Sequence, residues 1–140
     1  MHFEDSVAII TGGASGLGEA TVREFHLNGC KVCIFDKDTN KGTGLAQELG
    51  ENAAFFPVDV CNTRNVQEAI SKVVNKFQKI TINVNCAGIA IAEKTLGKEG
   101  IHDLDNFREI IEINLVGTFN VVRLCAEQMV KNSLEKNLEK

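Results

Sequence analysis

The stretch "TGGASGLG", Thr11 to Gly18, begins at the end of the apolar run "SVAIIT" and opens the amphipathic segment "GEATVREFHLNG". A glycine-rich turn between a buried strand and a helix aims backbone N–H groups and the positive end of the helix dipole at one point, as a phosphate requires. Gly12 is expected to permit the tight turn, Gly16 to let the backbone approach a pyrophosphate, and Gly18 to let helix and strand pack closely. Ser15 and Leu17, set between these glycines, complete the expected cradle. A strand running straight into a helix in this way is the first half of a parallel βαβ unit.

The rest of the chain repeats the alternation. Strand "KVCIFD", helix "NKGTGLAQELG" closed by Gly50, and strand "AAFFPVDV" come next. The helix "NVQEAISKVVNKF" sets Val66, Ile70, Val73 and Val74 on one face, and strand "TINVNCA" follows it. A polar loop, "EKTLGKEGIHDLDN", leads to a long helix from about Leu104 to Val130. That helix is apolar around its circumference. Phe107, Ile110, Ile111, Leu115, Phe119, Val122 and Leu124 cannot all face one sheet, so a second apolar partner is expected. The ending "SLEKNLEK" reads as a solvated helical extension with Leu134 and Leu138 on one face. The expected fold class is α/β, a Rossmann-type parallel sheet with flanking helices.

Composition excludes several alternatives. With 140 residues, 44% of them hydrophobic, the chain has the length of one domain; it can bury roughly two-thirds of its unfolded surface. The net charge of −4 is spread out, without the basic block that a nucleic-acid partner requires. No run is long enough for a membrane span, and "MHFEDS" carries acids where a targeting peptide carries bases. An intracellular setting, cytoplasmic or in the mitochondrial matrix, is expected. The five cysteines lack the spacing of a disulfide framework and suit a reducing compartment. Cys30 and Cys33 form a nominal CxxC that leads into a strand instead of opening a helix, so they read as core. No metal site is expected.

At the end of the second strand stands Asp36, about 20 residues beyond the glycine turn, where a dinucleotide fold places the acid that binds the adenosine ribose hydroxyls. A 2′-phosphate about 4 Å from this carboxylate would be repelled by roughly 4 kcal/mol at an effective dielectric of about 20. NAD is therefore the expected cofactor over NADP. Lys37 works in the opposite direction, although an exposed ammonium offsets only part of that repulsion.

The form TGxxxGxG and three later landmarks resemble the short-chain dehydrogenase/reductase family. Asp59 and Val60 resemble the pair that meets the adenine ring through a carboxylate and a backbone amide. "NCAG" (Asn85, Cys86, Ala87, Gly88) resembles the family's NNAG stretch, with Cys86 in place of the second asparagine. Asn114 in "INLVGTF" matches the asparagine of an Asn-Ser-Tyr-Lys tetrad, which in the family holds a water in the proton relay. Within the family, "VAIITGGASGLG", "NCAGIA" and "NLVGTFNVVRLCAE" resemble the type-2 3-hydroxyacyl-CoA dehydrogenases. The resemblance implies NAD-dependent oxidation of secondary alcohols on acyl-CoA or steroid substrates, and homo-oligomers formed through the 104–130 helix.

The resemblance also implies a limit. The family's next strand carries a catalytic serine, and YxxxK follows on the next helix, yet this chain contains no tyrosine. Residues 1–132 are therefore expected to form an NAD-binding half-domain, truncated after the fourth strand and its long helix. Residues 133–140 are expected to be a divergent helical or disordered tail, and the chain alone to be inactive; the alternative reading is a noncatalytic nucleotide-binding or subunit-interaction module. Cys86, as a small buried thiol, and His102, as a solvated loop residue, are not expected to substitute for the missing acid/base.

Overall fold

A computed structural model describes residues 3–98 and 100–138, the last six of these by backbone alone. After a 3-10 turn at Phe3–Asp5 come β1 (Val7–Thr11), α1 (Gly16–Leu27), β2 (Lys31–Asp36), α2 (Thr39–Leu49), β3 (Ala53–Pro57), α3 (Thr63–Phe77) and β4 (Ile82–Asn85). They are followed by β5 (Leu96–Gly97), β6 (Gly100–Ile101), α4 (Leu104–Ile111), a π-helical turn (Glu112–Gly117) and α5 (Thr118–Leu138).

Strands β1 to β4 make a parallel sheet in the order β3-β2-β1-β4, with Ala8 opposite Val32 on one side and Ile82 on the other. Buried on both faces, β1 and β2 are continuous apolar runs, as parallel strands under two helical layers must be. Alternate side chains go to opposite layers. Val7, Ile9, Cys33 and Phe35 pack with Val66, Ile70 and Val73 of α3 and Val121, Leu124 and Cys125 of α5. Ala8, Ile10, Val32 and Ile34 pack with Val22 of α1 and Leu45 of α2. The sheet is thus the Rossmann-type α/β arrangement.

The cysteine pair belongs to this core. Cys30 and Cys33 are buried reduced thiols, and the Cys30 thiol donates to the Ser6 carbonyl at 3.3 Å. Burial pushes both thiols, and Cys125 to about 12, away from the thiolate form.

Three local expectations are corrected. β3 stops at Pro57, and the segment through Val60 leaves the sheet as a turn; after one more bond, from Val58 N–H to the Asp36 carbonyl, no pairing to β2 continues. The polar loop contains the antiparallel hairpin β5–β6, whose two-residue strands are too short to show an alternating pattern. The long helix begins at Leu104 as expected but widens into the π-helical turn, where Asn114 reaches out to another segment. Its backbone stays helical to Leu138, while the proposed face shared by Leu134 and Leu138 lies outside the described side chains.

The long helix has two apolar faces. Val121, Leu124 and Cys125 are buried, whereas Phe107, Leu115, Phe119 and Val122 are exposed. Among the described residues β4 pairs with β1 alone, leaving its other edge open.

Candidate functional site

The turn after β1 and the turn after β4 meet at the C-terminal end of the sheet. Gly12 adopts φ +63, and a methyl group built on it would lie 2.8 Å from the Ala87 nitrogen, so the two backbones touch here. The Thr11 carbonyl accepts from Cys86 N–H at 3.1 Å and the Thr11 hydroxyl accepts from Ala87 N–H at 3.2 Å. Thr11 was not among the expected site residues. Its signal is a hydroxyl at the end of an otherwise apolar strand, which must find a partner when buried.

Gly18 lies in the first turn of α1, where an added methyl would sit 2.0 Å from the Gly12 carbonyl oxygen. Gly16 has φ +53, and an added methyl there would meet nothing within 4 Å. One glycine therefore permits close packing and another leaves bare backbone facing open space. Ser15 is the residue preceding α1, and its hydroxyl makes no cap bond to the helix.

Asp36 closes the other side of the turn. One carboxylate oxygen accepts from Ala14 N–H at 3.0 Å, and the other accepts from Asp38 N–H at 3.0 Å. Asp59 stands beyond it, accepting from Cys61 N–H at 3.0 Å and pairing with the Lys37 ammonium at 3.0 Å. Burial pushes the Asp59 carboxyl up, but the Cys61 N–H and the Lys37 ammonium outweigh it, and the net direction is below the usual carboxylate range.

These groups surround one cleft of about 560 Å³. Gly12, Ser15, Gly16, Leu17 and Gly18 line it from the first turn, Asp36 from the end of β2, Asp59 and Val60 from the turn after β3, and Cys86, Ala87 and Gly88 from the segment after β4. Phe35, Lys37, Val58, Ile89, Glu109 and Ile113 complete the wall. Asn85 is the exception among the expected cofactor residues. Its side-chain N–H donates to Asn83 at 2.8 Å, back along β4, and its own oxygen is buried without a partner.

Asn114 reaches the same wall from the π-helical turn. Its side-chain N–H donates to the Ile89 carbonyl at 2.8 Å and its oxygen accepts from Ile89 N–H at 2.9 Å. Gly88 leaves room for this clasp, because a methyl there would fall 3.1 Å from the Asn114 oxygen. His102 is not the solvated residue expected. Its ring is mostly buried, stacks edge-on against Phe107 and lies 3.6 Å from a Glu93 carboxylate oxygen, outside the cleft.

A family model described as short chain dehydrogenase matches residues 6–134. The chain belongs to the short-chain dehydrogenase family. This dehydrogenase-family chain is 44% identical over 128 residues to the 3-hydroxyacyl-CoA dehydrogenase type-2 of Homo sapiens, covering 90% of this chain and 49% of that protein. The Drosophila melanogaster protein of the same name is 43% identical over 131 residues, covering 92% and 51%. Among solved structures, 3-hydroxyacyl-CoA dehydrogenase type-2 from Mycobacterium avium superposes with a TM-score of 0.83 at 38% identity, covering 90% of this chain and 49% of that one. The 3-ketoacyl-(acyl-carrier-protein) reductase from Brucella melitensis, complexed with NADH, gives 0.87 at 30% identity, covering 96% and 54%. The chain spans about half the length of these relatives.

Proposed function

We propose that this chain binds NAD and forms the cofactor-binding portion of a dehydrogenase acting on a secondary alcohol of the 3-hydroxyacyl-CoA or hydroxysteroid class. One observation carries the reading: an acid bonded to the backbone of a glycine turn, in a cleft that Gly12, Gly16 and Gly18 of the same turn help to line. Those features fit a dinucleotide, with amides for its phosphates and a carboxylate for its ribose hydroxyls. Gly12 to Gly18 would hold the pyrophosphate, Asp36 the adenosine ribose, Asp59 and Val60 the adenine, and Cys86 to Gly88 the far side. When bound, NAD supplies the acceptor for a hydride leaving the alcohol carbon.

Both polar atoms of the Asn114 side chain are used on Ile89, so Asn114 acts as a positioning residue that fixes the wall beside the reacting end. Deprotonating the alcohol calls for a group with a working pKa near neutrality. These 140 residues include no tyrosine for that step, and negligible turnover is expected from this chain alone. The exposed apolar face of α4 and α5 favours pairing with a second copy. An intracellular location, in the cytoplasm or the mitochondrial matrix, fits the reduced core cysteines.

Calorimetric titration tests the cofactor. NAD is expected to bind and S-adenosylmethionine not to bind; the reverse pattern overturns the assignment. Steady NADH formation from a hydroxyacyl-CoA by this chain overturns the expected inactivity.

A further inference from the structure

We infer that Asp59 governs the choice between NAD and NADP at a distance, by holding the Lys37 ammonium away from the ribose 2′ position. The inference rests on the proposed dinucleotide site. Lys37 follows Asp36 directly and lines the same cleft, so its ammonium is a cation within the cleft for a phosphate on that ribose to meet. Asp36 itself cannot turn aside, because each of its oxygens is held by a backbone N–H.

Lys37 is instead committed to Asp59, with Nζ 3.0 Å from Oδ2. Asp59 is a fixed anchor: its other oxygen accepts from Cys61 N–H, and its own N–H donates to the Asn65 side chain at 2.7 Å. The lysine side chain is 67% exposed, so the pair is the main restraint on where its charge sits. A 2′-phosphate is thus opposed by the Asp36 charge and deprived of Lys37, the cation that lines the cleft among the described residues. NAD, with a free hydroxyl, requires neither change.

A half-exposed ion pair shifts an equilibrium only a few fold, so freeing Lys37 should change the NADP-to-NAD preference by about fivefold. Titration of the full chain and three variants with NAD and with NADP tests this. Asp59→Asn keeps an acceptor for Cys61 N–H while releasing the ammonium, and the ratio of the NADP to the NAD dissociation constant should fall by about fivefold. Lys37→Ala alone, a change at an exposed side chain that leaves the fold intact, should leave NADP affinity within about twofold of the parent. Asp59→Asn combined with Lys37→Ala should show none of the gain.

An unchanged ratio in Asp59→Asn overturns the inference. The same gain in the double variant also does, since Asp59 would then act through its own charge. A fivefold loss of NADP affinity in Lys37→Ala alone overturns it too, because the ammonium would already reach the phosphate. The dinucleotide reading is judged separately, on the parent chain: NAD binding there keeps it intact whatever the variants do, and failure of the parent chain to bind NAD at all overturns both.

Discussion

Glycine-to-alanine substitution at three positions gives a test in which one chemical change has three different outcomes. At Gly18 the added methyl would lie 2.0 Å from the Gly12 oxygen, 2.6 Å from its carbonyl carbon and 3.0 Å from Gly13 Cα. All three are backbone atoms, so relief requires α1 to move away from the β1 turn. Overpacking typically costs about 1–3 kcal/mol, and a neighbour that cannot rotate away puts Gly18→Ala near the upper end, about 3 kcal/mol. For a chain of this size that corresponds to a fall in Tm of roughly 10 °C. At Gly42 the methyl would lie 2.2 Å from two ring carbons of Phe55, a half-buried side chain that can turn, and the cost should be about 1–2 kcal/mol. At Gly44, also in α2, nothing lies within 4 Å. There alanine should stabilise by about 0.5–1 kcal/mol through helix propensity and a less flexible unfolded chain. Thermal melts followed by circular dichroism give the order Gly44→Ala, parent, Gly42→Ala, Gly18→Ala from highest to lowest Tm. Calorimetry should show weakened NAD binding in Gly18→Ala alone. A Gly18→Ala chain that melts within about 2 °C of the parent would refute the packing argument.

Replacing Asn114 with alanine removes both bonds to Ile89 and should destabilise the chain by about 1–2 kcal/mol. Hydrogen exchange should quicken at the Ile89 amide above all, and unchanged protection there would contradict the clasp. Asp59 has a lowered carboxyl pKa in the folded chain, so its stabilising contribution is complete above the ordinary value of about 3.9 and is lost as pH falls through the lower folded value. Lys37→Ala should raise the Asp59 midpoint in a carbon-13 titration, and an unmoved midpoint would rule out the pair. Phe119→Glu, on the exposed face of α5, should shift sedimentation toward monomer. If the parent sediments as a monomer at every concentration, pairing through that face is wrong.

What could be read from the chain depended on how local its cause was. Gly12, Gly16 and Gly18 answer a requirement of the backbone within a few residues, and the turn built from them lies where the spacing puts it. Asp36 ends a strand whose bounds, Lys31–Asp36, coincide with the apolar run. The clasp of Asn114 on Ile89 spans 25 residues and depends on a π-helical turn that no periodic pattern announces. Asn85 carries the expected residue type at the end of its strand, yet its side chain turns to Asn83, a choice made by i, i+2 neighbours on one face of β4. The hairpin β5–β6 and the mostly buried ring of His102 are not legible in the sequence for a related reason, since both arise where a polar segment folds against itself.

The position of the cleft follows from the order in which the strands are laid down. From β1 the chain moves outward to β2 and then β3, and afterwards crosses back to place β4 on the opposite side of β1. The connections after β1 and β4 therefore leave the sheet toward different helical layers, α1 on one face and α5 on the other. A crevice must open between them at the C-terminal ends of the two strands. Thr11 bonds across that crevice to Cys86 and Ala87, and Gly12 lets the backbones meet, so the split is held narrow at its base. Groups arranged above that base need only reach inward from strand ends. This explains why residues as distant in the chain as Asp36, Asp59 and Gly88 converge on one space. The same topology governs the Lys37–Asp59 pair, because β2 and β3 are neighbours whose ends rise side by side beyond Asp36 and Pro57. An ion pair across those two ends can act on the Asp36 side of the cleft while leaving the glycine turn untouched.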